Sequence, residues 1–225
     1  MKKPSTLSVV MKFLVAVPVM MAVIFWPAGT LGWIEGWVYL VLQLGTSTGL
    51  AVYFLKHDPE LIQKRMEMKM PPHVWDRIIM VPFVLSMASV VIVPGFDAVR
   101  FGWSQVPVWL EATGFVGFLG SMWMLFLVMK VNSFLAKTVE IQKGHKVVTT
   151  GPYGVVRHPM YSAVLVMVVS ISLGMGSWYA LIPAGLTVLF LAVRISWEEK
   201  MLKEELSGYE EYMKKVRFRL VPGIW

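Results

Sequence analysis

Apolar positions along the chain gather into blocks long enough to cross a bilayer, separated by shorter polar stretches. Leu7 to Trp26 is the first block. A hydrocarbon core needs about 20 helical residues, so this run can span. Lys12 lies one turn inside it and can snorkel back to the headgroups. Pro27-Ala28-Gly29-Thr30 breaks the run. Trp33 to Leu55 predicts a second span, and Trp26, Trp33 and Trp37 flank the connection as interfacial aromatics do. Lys56 to Arg77 is polar and basic, with Met66, Met68 and Met70 interleaved, and reads as an interfacial helix ended by Pro71-Pro72. Ile78 to Val93 predicts the third span, closed by Pro94 and Gly95, with Phe96 to Pro107 as a loop. Val108 to Met129 predicts the fourth. Its Gly114, Gly117 and Gly120 recur every third residue, a spacing that lets a neighbouring helix approach closely.

Lys130 to Arg157 is polar and basic again. Met160 to Leu173 is a short apolar run, Gly174-Met175-Gly176-Ser177 a turn, and Trp178 to Ile195 the return, which together predict a tight helical hairpin. Glu198 to Tyr212 reads as a charged amphipathic helix. The expected fold class is therefore all-α. It is a polytopic integral membrane protein with about six transmembrane segments, including a C-terminal helical hairpin, followed by a cytoplasmic C-terminal helix. No repeat or linker divides it. Residues 1–225 form one membrane domain, with N-terminal spans over 1–130 and a catalytic, cofactor-binding region over 131–225.

Composition agrees. Of 225 residues, 56% are hydrophobic and the mean hydropathy is +0.63, well above a soluble domain of this length. The net charge of +7 lies in the connections between apolar runs. Topology and anionic headgroups account for it, and no nucleic-acid partner is expected. With the N-terminus in the cytoplasm and six crossings, the outward connections fall near residues 27–32, 94–107 and 174–177. Of 21 Lys and Arg, only Arg100 falls in them. That asymmetry predicts a multi-pass protein with both termini and both polar clusters on the cytoplasmic side. The opening Met1-Lys2-Lys3 and its long apolar run read as a retained signal-anchor helix. The absence of cysteine excludes disulfides, thiolate metal sites and a cysteine nucleophile. Four scattered histidines show no metal spacing. The dinucleotide-binding and P-loop glycine patterns do not occur.

Two polar clusters remain at the membrane edge, where ionisable groups are costly and usually functional. One is Gly151-Pro152-Tyr153-Gly154-Val155-Val156-Arg157-His158-Pro159-Met160-Tyr161. Pro159 holds His158 out of the α region and fixes its imidazole at a helix entrance. Tyr153 and Tyr161 flank it with rings and hydroxyls suited to a cationic or adenine-bearing ligand. The other is Arg194 with Glu198 and Glu199. Arg194 and Glu198 share a helix face at i, i+4 and are placed to pair.

His145-Lys146-Val147-Val148, Gly151-Pro152-Tyr153, Arg157-His158-Pro159-Met160-Tyr161, Arg194 with Glu198-Glu199, Tyr209-Glu210-Glu211-Tyr212 and Pro222 together resemble the isoprenylcysteine carboxyl methyltransferase family, from about Asn132 to Trp225. The resemblance implies a membrane-embedded methyltransferase using S-adenosyl-L-methionine. It places His145, Lys146, Val147, Val148, Tyr153, His158, Pro159, Met160 and Tyr161 along the cofactor. Glu198 holds a polar part of the cofactor, and Arg194 faces the acceptor carboxylate; these two are the catalytic pair. Glu199 and Asn132 support the cofactor and the substrate respectively. The acceptor is lipidic and reaches the site from the membrane lipids, and no metal is needed. A carboxylate is already nucleophilic and needs chiefly a cation to orient it, which a guanidinium fork supplies. Phospholipid N-methyltransferases share a related C-terminal pattern and are the alternative. An NADPH-dependent sterol-type reductase and a non-catalytic membrane protein stand behind them.

Overall fold

The computed structural model describes residues 6–66, 71–135 and 146–225. Helix α1 covers Thr6–Ala28, α2 Ile34–His57, α3 Pro59–Met66, α4 Val74–Pro94 and α5 Val108–Val131. After a 3-10 turn at Gly151–Gly154 come α6 Pro159–Gly174, α7 Leu181–Glu205 and α8 Tyr209–Lys215. No strand occurs among the described residues.

Among the described residues, four helical stretches are long and apolar enough to cross a membrane: Ile34–His57, Val74–Arg100, Val108–Val131 and Leu181–Glu205. Pro159–Gly174 is apolar but shorter, and Val15–Ala28 is an apolar part of α1. The four long stretches coincide with four of the six expected crossings, and α1 and α6 lie at the other two. Many of their side chains point outward bare, among them Val41, Leu85, Val116 and Leu189. An apolar exterior of this extent fits lipid contact.

Lipid is as apolar as leucine, so close packing and polar ties hold such helices together. Helices α5 and α6 form the most extensive pair. A Cβ at Gly114 would stand 2.5 Å from Gly174 N, and one at Gly117 would strike the Ser170 hydroxyl. Gly120 meets nothing. Three-residue spacing drifts against a 3.6-residue turn, so the third glycine has rotated off the contact face. At the far end from Pro159, Asp97 Oδ2 accepts from the Ser104 and Ser177 hydroxyls, tying the α4 extension to the α6–α7 turn.

Three boundaries differ from expectation. Pro94-Gly95 does not end the third span. Pro94 keeps α-region angles, and the chain runs on as a π-helical turn over Gly95–Arg100, where Phe101 N–H reaches Phe96 O. The expected loop at Phe96 therefore begins as helix. Helix α7 continues past Ile195 to Glu205, since neither Gly nor Pro interrupts it between Gly185 and Gly208. The expected single helix over Glu198 to Tyr212 is two pieces. Gly208, at φ 84°, turns the chain into α8. The interfacial helix of the 56–77 connection is α3. Its expected continuation through Met68 and Met70 lies outside the described residues.

Candidate active site

The site forms where the start of α6, the C-terminal half of α7, α8 and the segment after α5 converge. Pro159 opens α6 at its first turn, and His158 before it stands at φ −122°, ψ 61°, outside the helical region. The chain's last segment clamps this entrance: Arg157 N–H donates to Phe218 O, His158 N–H to Arg219 O, and the Ser162 hydroxyl to Leu220 O.

A cavity of about 120 Å³ opens beside it. Asn132, Lys146, Val147, Val148, Tyr153, His158, Pro159, Met160, Tyr161, Arg194 and Glu198 all line it. These residues are up to 66 positions apart in sequence, yet they bound one space. His145 lies outside the described residues. Glu199 does not line the cavity. It is buried behind the wall, its Oε1 taking Arg157 Nε at 2.6 Å and standing 3.2 Å from His158 Nε2, its Oε2 taking Arg219 Nε at 2.9 Å. Successive residues on a helix point about 100° apart, so Glu198 looks into the cavity while Glu199 looks at the clamp. Glu199, expected beside the cofactor, thus contacts Arg157 and His158, which line the cavity, and does not line it itself.

Arg194 also has a partner that the sequence reading did not supply. Its Nε donates to Asp76 Oδ1 at 2.9 Å and its Nη2 to Asp76 Oδ2 at 3.3 Å, a two-pronged tie between α7 and α4. Both residues are buried. Its guanidinium stands 5.8 Å from the centre of the Tyr161 ring. Glu198 Oε2 accepts from the Tyr161 hydroxyl at 2.8 Å, and the Tyr161 and His158 rings lie nearly parallel, 5.7 Å apart.

The opposite wall is aromatic. Asn132 Nδ2 donates to the Tyr153 hydroxyl at 2.8 Å, and the Tyr212 hydroxyl donates to Tyr153 O at 2.8 Å. Burial pushes the Tyr153 phenol up to about 12, against the downward pull of the Asn132 hydrogen bond. Burial also raises Tyr212 and Tyr209, Tyr209 further under the charges of Glu199 and Glu198. The Tyr209 hydroxyl is buried, lines the cavity, and has no hydrogen-bond partner among the described residues. Such a group costs stability until something satisfies it.

Sequence reasoning also omitted Phe134, Leu135, Arg157, Met201, Leu202, Leu206, Tyr209 and Tyr212 from the lining. Tyr209 and Tyr212 had a signal, since they lie in one of the conspicuous blocks. The apolar members had none beyond helical spacing.

Among the described residues, bilayer-length apolar helices with a polar, aromatic cavity at one end define the architecture of a membrane protein. Residues 109–207 match the phospholipid methyltransferase family model. The match indicates a membrane methyltransferase, of a kind that normally uses S-adenosylmethionine. It runs from the start of α5 to just past the end of α7 and takes in all of the cavity lining except Tyr209 and Tyr212. No curated protein matches the chain.

Proposed function

We propose that the protein transfers a methyl group from S-adenosylmethionine to the head of a lipidic acceptor. The observation that carries this reading is the cavity itself. It brings Tyr153, His158, Tyr161 and Glu198, all inside the segment matched to a methyltransferase family, together with Tyr209 just beyond it. Those residues suit the cofactor: aromatic faces for an adenine, a carboxylate for an ammonium or ribose hydroxyls, and a hydroxyl in need of a partner. When bound, the cofactor supplies a methyl on a sulfonium, an electrophile that an acceptor lone pair can take, leaving S-adenosylhomocysteine.

The chain's own contribution is positioning. Glu199 and the C-terminal clamp fix His158 and Arg157 at the rim. Tyr161 holds Glu198 in one rotamer. Orientation of this kind supplies much of the catalysis in an in-line displacement. The acceptor comes from the bilayer between helices and the cofactor from the aqueous side. The charge asymmetry of the sequence supports a multi-pass protein whose active site and termini face the cytoplasm. One membrane domain carries it all.

Two acceptors fit a lipidic head, and one observation orders them. The guanidinium expected to orient a lipid carboxylate, Arg194, is already engaged by Asp76. A phospholipid head-group amine, the alternative in the sequence reading, does not depend on that guanidinium, and the family match points the same way. The amine takes the first place and the carboxylate of an isoprenylcysteine-like acid the second. Titrating purified protein in detergent with S-adenosylhomocysteine and with NADPH, and following thermal unfolding, tests the reading. Ligand that binds the folded state raises the midpoint. A rise with S-adenosylhomocysteine is expected, and a rise with NADPH alone overturns the proposal.

A further inference from the structure

Helix α3 is short, and its inward face is set by Leu61 and Ile62. Both are buried, in a cluster with Phe54 of α2 and Met129 of α5, with Leu135 of the cavity wall packed against it. Arg65 lies one turn after Leu61, so it shares that face and is carried inward with it. It is half-buried, its Nη1 stands 3.9 Å from the sulfur of Met160, and its charge acts on the Tyr153 phenol. Met160 and Tyr153 both line the cavity. Among the described residues no carboxylate lies within ion-pair distance of Arg65. The basic groups of the opposite rim are differently placed: Arg157 and Arg219 share Glu199, and Arg194 is held by Asp76. A thioether and a neutral phenol do not compensate a guanidinium withdrawn from water, and its pKa is lowered by burial accordingly.

The geometry points to Arg65 as the residue that receives the anionic group of the lipid acceptor, the phosphodiester of a phospholipid or the carboxylate of a lipid acid. This rests on the methyltransferase reading and adds the acceptor's second point of attachment. An amphipathic helix at the bilayer surface carries the cation at headgroup height, where a fork matches two oxygens of either anion. The reacting atom of the acceptor then extends from that anchor past Met160 into the cavity. The tie also explains why an arginine is carried on the buried face of a helix whose neighbours on that face are aliphatic.

The test uses thermal unfolding of the full chain in detergent with S-adenosylhomocysteine present. Three lipids are compared: a short-chain phosphatidylethanolamine, an S-prenyl thiol acid and a neutral diacylglycerol. Wild type is expected to be stabilised by one or both anion-bearing lipids beyond the diacylglycerol, and the lipid that does so identifies the source of the anion. Arg65→Gln should weaken that lipid's apparent affinity about ten- to a hundredfold, the range for a lost charge-assisted hydrogen bond. Arg65→Lys, which keeps the charge and loses the fork, should recover part of it. Lys203→Gln, which removes a charge from an exposed position, should change nothing. Equal responses to all three lipids in wild type, or an unaltered response in Arg65→Gln, overturn the proposal. So does loss of S-adenosylhomocysteine binding in Arg65→Gln, which would assign the cation to the cofactor's own carboxylate. If wild type fails to bind S-adenosylhomocysteine at all, the methyltransferase reading falls first, and visibly apart from Arg65.

Discussion

Glu199→Gln is the substitution that bears hardest on the clamp behind the cavity. The glutamine keeps the shape and removes the charge. In the native protein one carboxylate serves Arg157, His158 and Arg219 at 2.6, 3.2 and 2.9 Å. The Glu199 and Arg157 side chains are only 3% and 6% exposed, whereas Arg219 is 30% exposed. Breaking a buried pair by neutralising one partner costs about 3–5 kcal/mol, because the other charge is stranded. The half-exposed Arg219 arm adds at most about 1 kcal/mol. Arg157 keeps its bonds to Val216 O and Arg217 O, which hold it short of complete isolation. The lower end, about 3 kcal/mol, is therefore expected. At roughly 2–4 °C per kcal/mol for a chain of this size, the midpoint should fall by about 6–12 °C. Tryptophan fluorescence during heating in detergent measures it, with Arg219→Gln as the milder comparison. S-Adenosylhomocysteine affinity should fall as well, because His158 loses its anchor. A midpoint within about 2 °C of wild type would refute the reasoning, since it would mean the carboxylate compensates nothing.

Other outcomes follow from the same structure. Tyr153, Tyr209 and Tyr212 all titrate above the ordinary phenol value, Tyr153 at about 12. Their neutral forms are favoured by folding, so this stability is whole below about pH 10 and drains as the pH rises from there towards the folded values. A pH series of unfolding midpoints should decline above pH 10, and less steeply for Tyr209→Phe, which leaves only Tyr153 and Tyr212 to titrate. Tyr209→Phe should leave the unliganded protein as stable as wild type or more so, because it removes a buried hydroxyl that has no partner among the described residues. The same change should weaken S-adenosylhomocysteine binding about three- to tenfold, as a calorimetric titration would read. Gly114→Ala should cost about 1–3 kcal/mol, because its Cβ would stand 2.5 Å from backbone that cannot yield without parting α5 from α6. Gly120→Ala, with nothing near it, should be neutral in the same melting assay.

Much of the site was legible because it is polar where the chain is otherwise apolar. Tyr153, His158, Tyr161, Arg194 and Glu198 stand out at the ends of apolar runs, and a proline fixes the turn between them. What stayed hidden are the partners. Asp76 is 118 residues from Arg194 and looks like an ordinary acid in the first turn of a helix, next to Arg77. Glu198 and Glu199 are indistinguishable until the helix is placed, since a rotation of one residue decides which faces the cavity. Arg65 is one more basic residue in a basic stretch, and only the burial of Leu61 and Ile62 shows it turned inward. For the fold, the apolar blocks marked the helices well, but their ends depended on tertiary detail. Pro94 caps nothing because a π turn absorbs it, and α7 runs on into its charged half because no residue there breaks it.

The central claim is that the cavity delivers a methyl group to a lipid. It is tested most directly by incubating purified protein in lipid nanodiscs with S-adenosylmethionine labelled in its methyl group and extracting the lipid phase. The account predicts label in the lipid fraction, equal release of S-adenosylhomocysteine, and loss of both in Glu198→Ala. Unlabelled lipid alongside an intact protein that binds S-adenosylhomocysteine would contradict it.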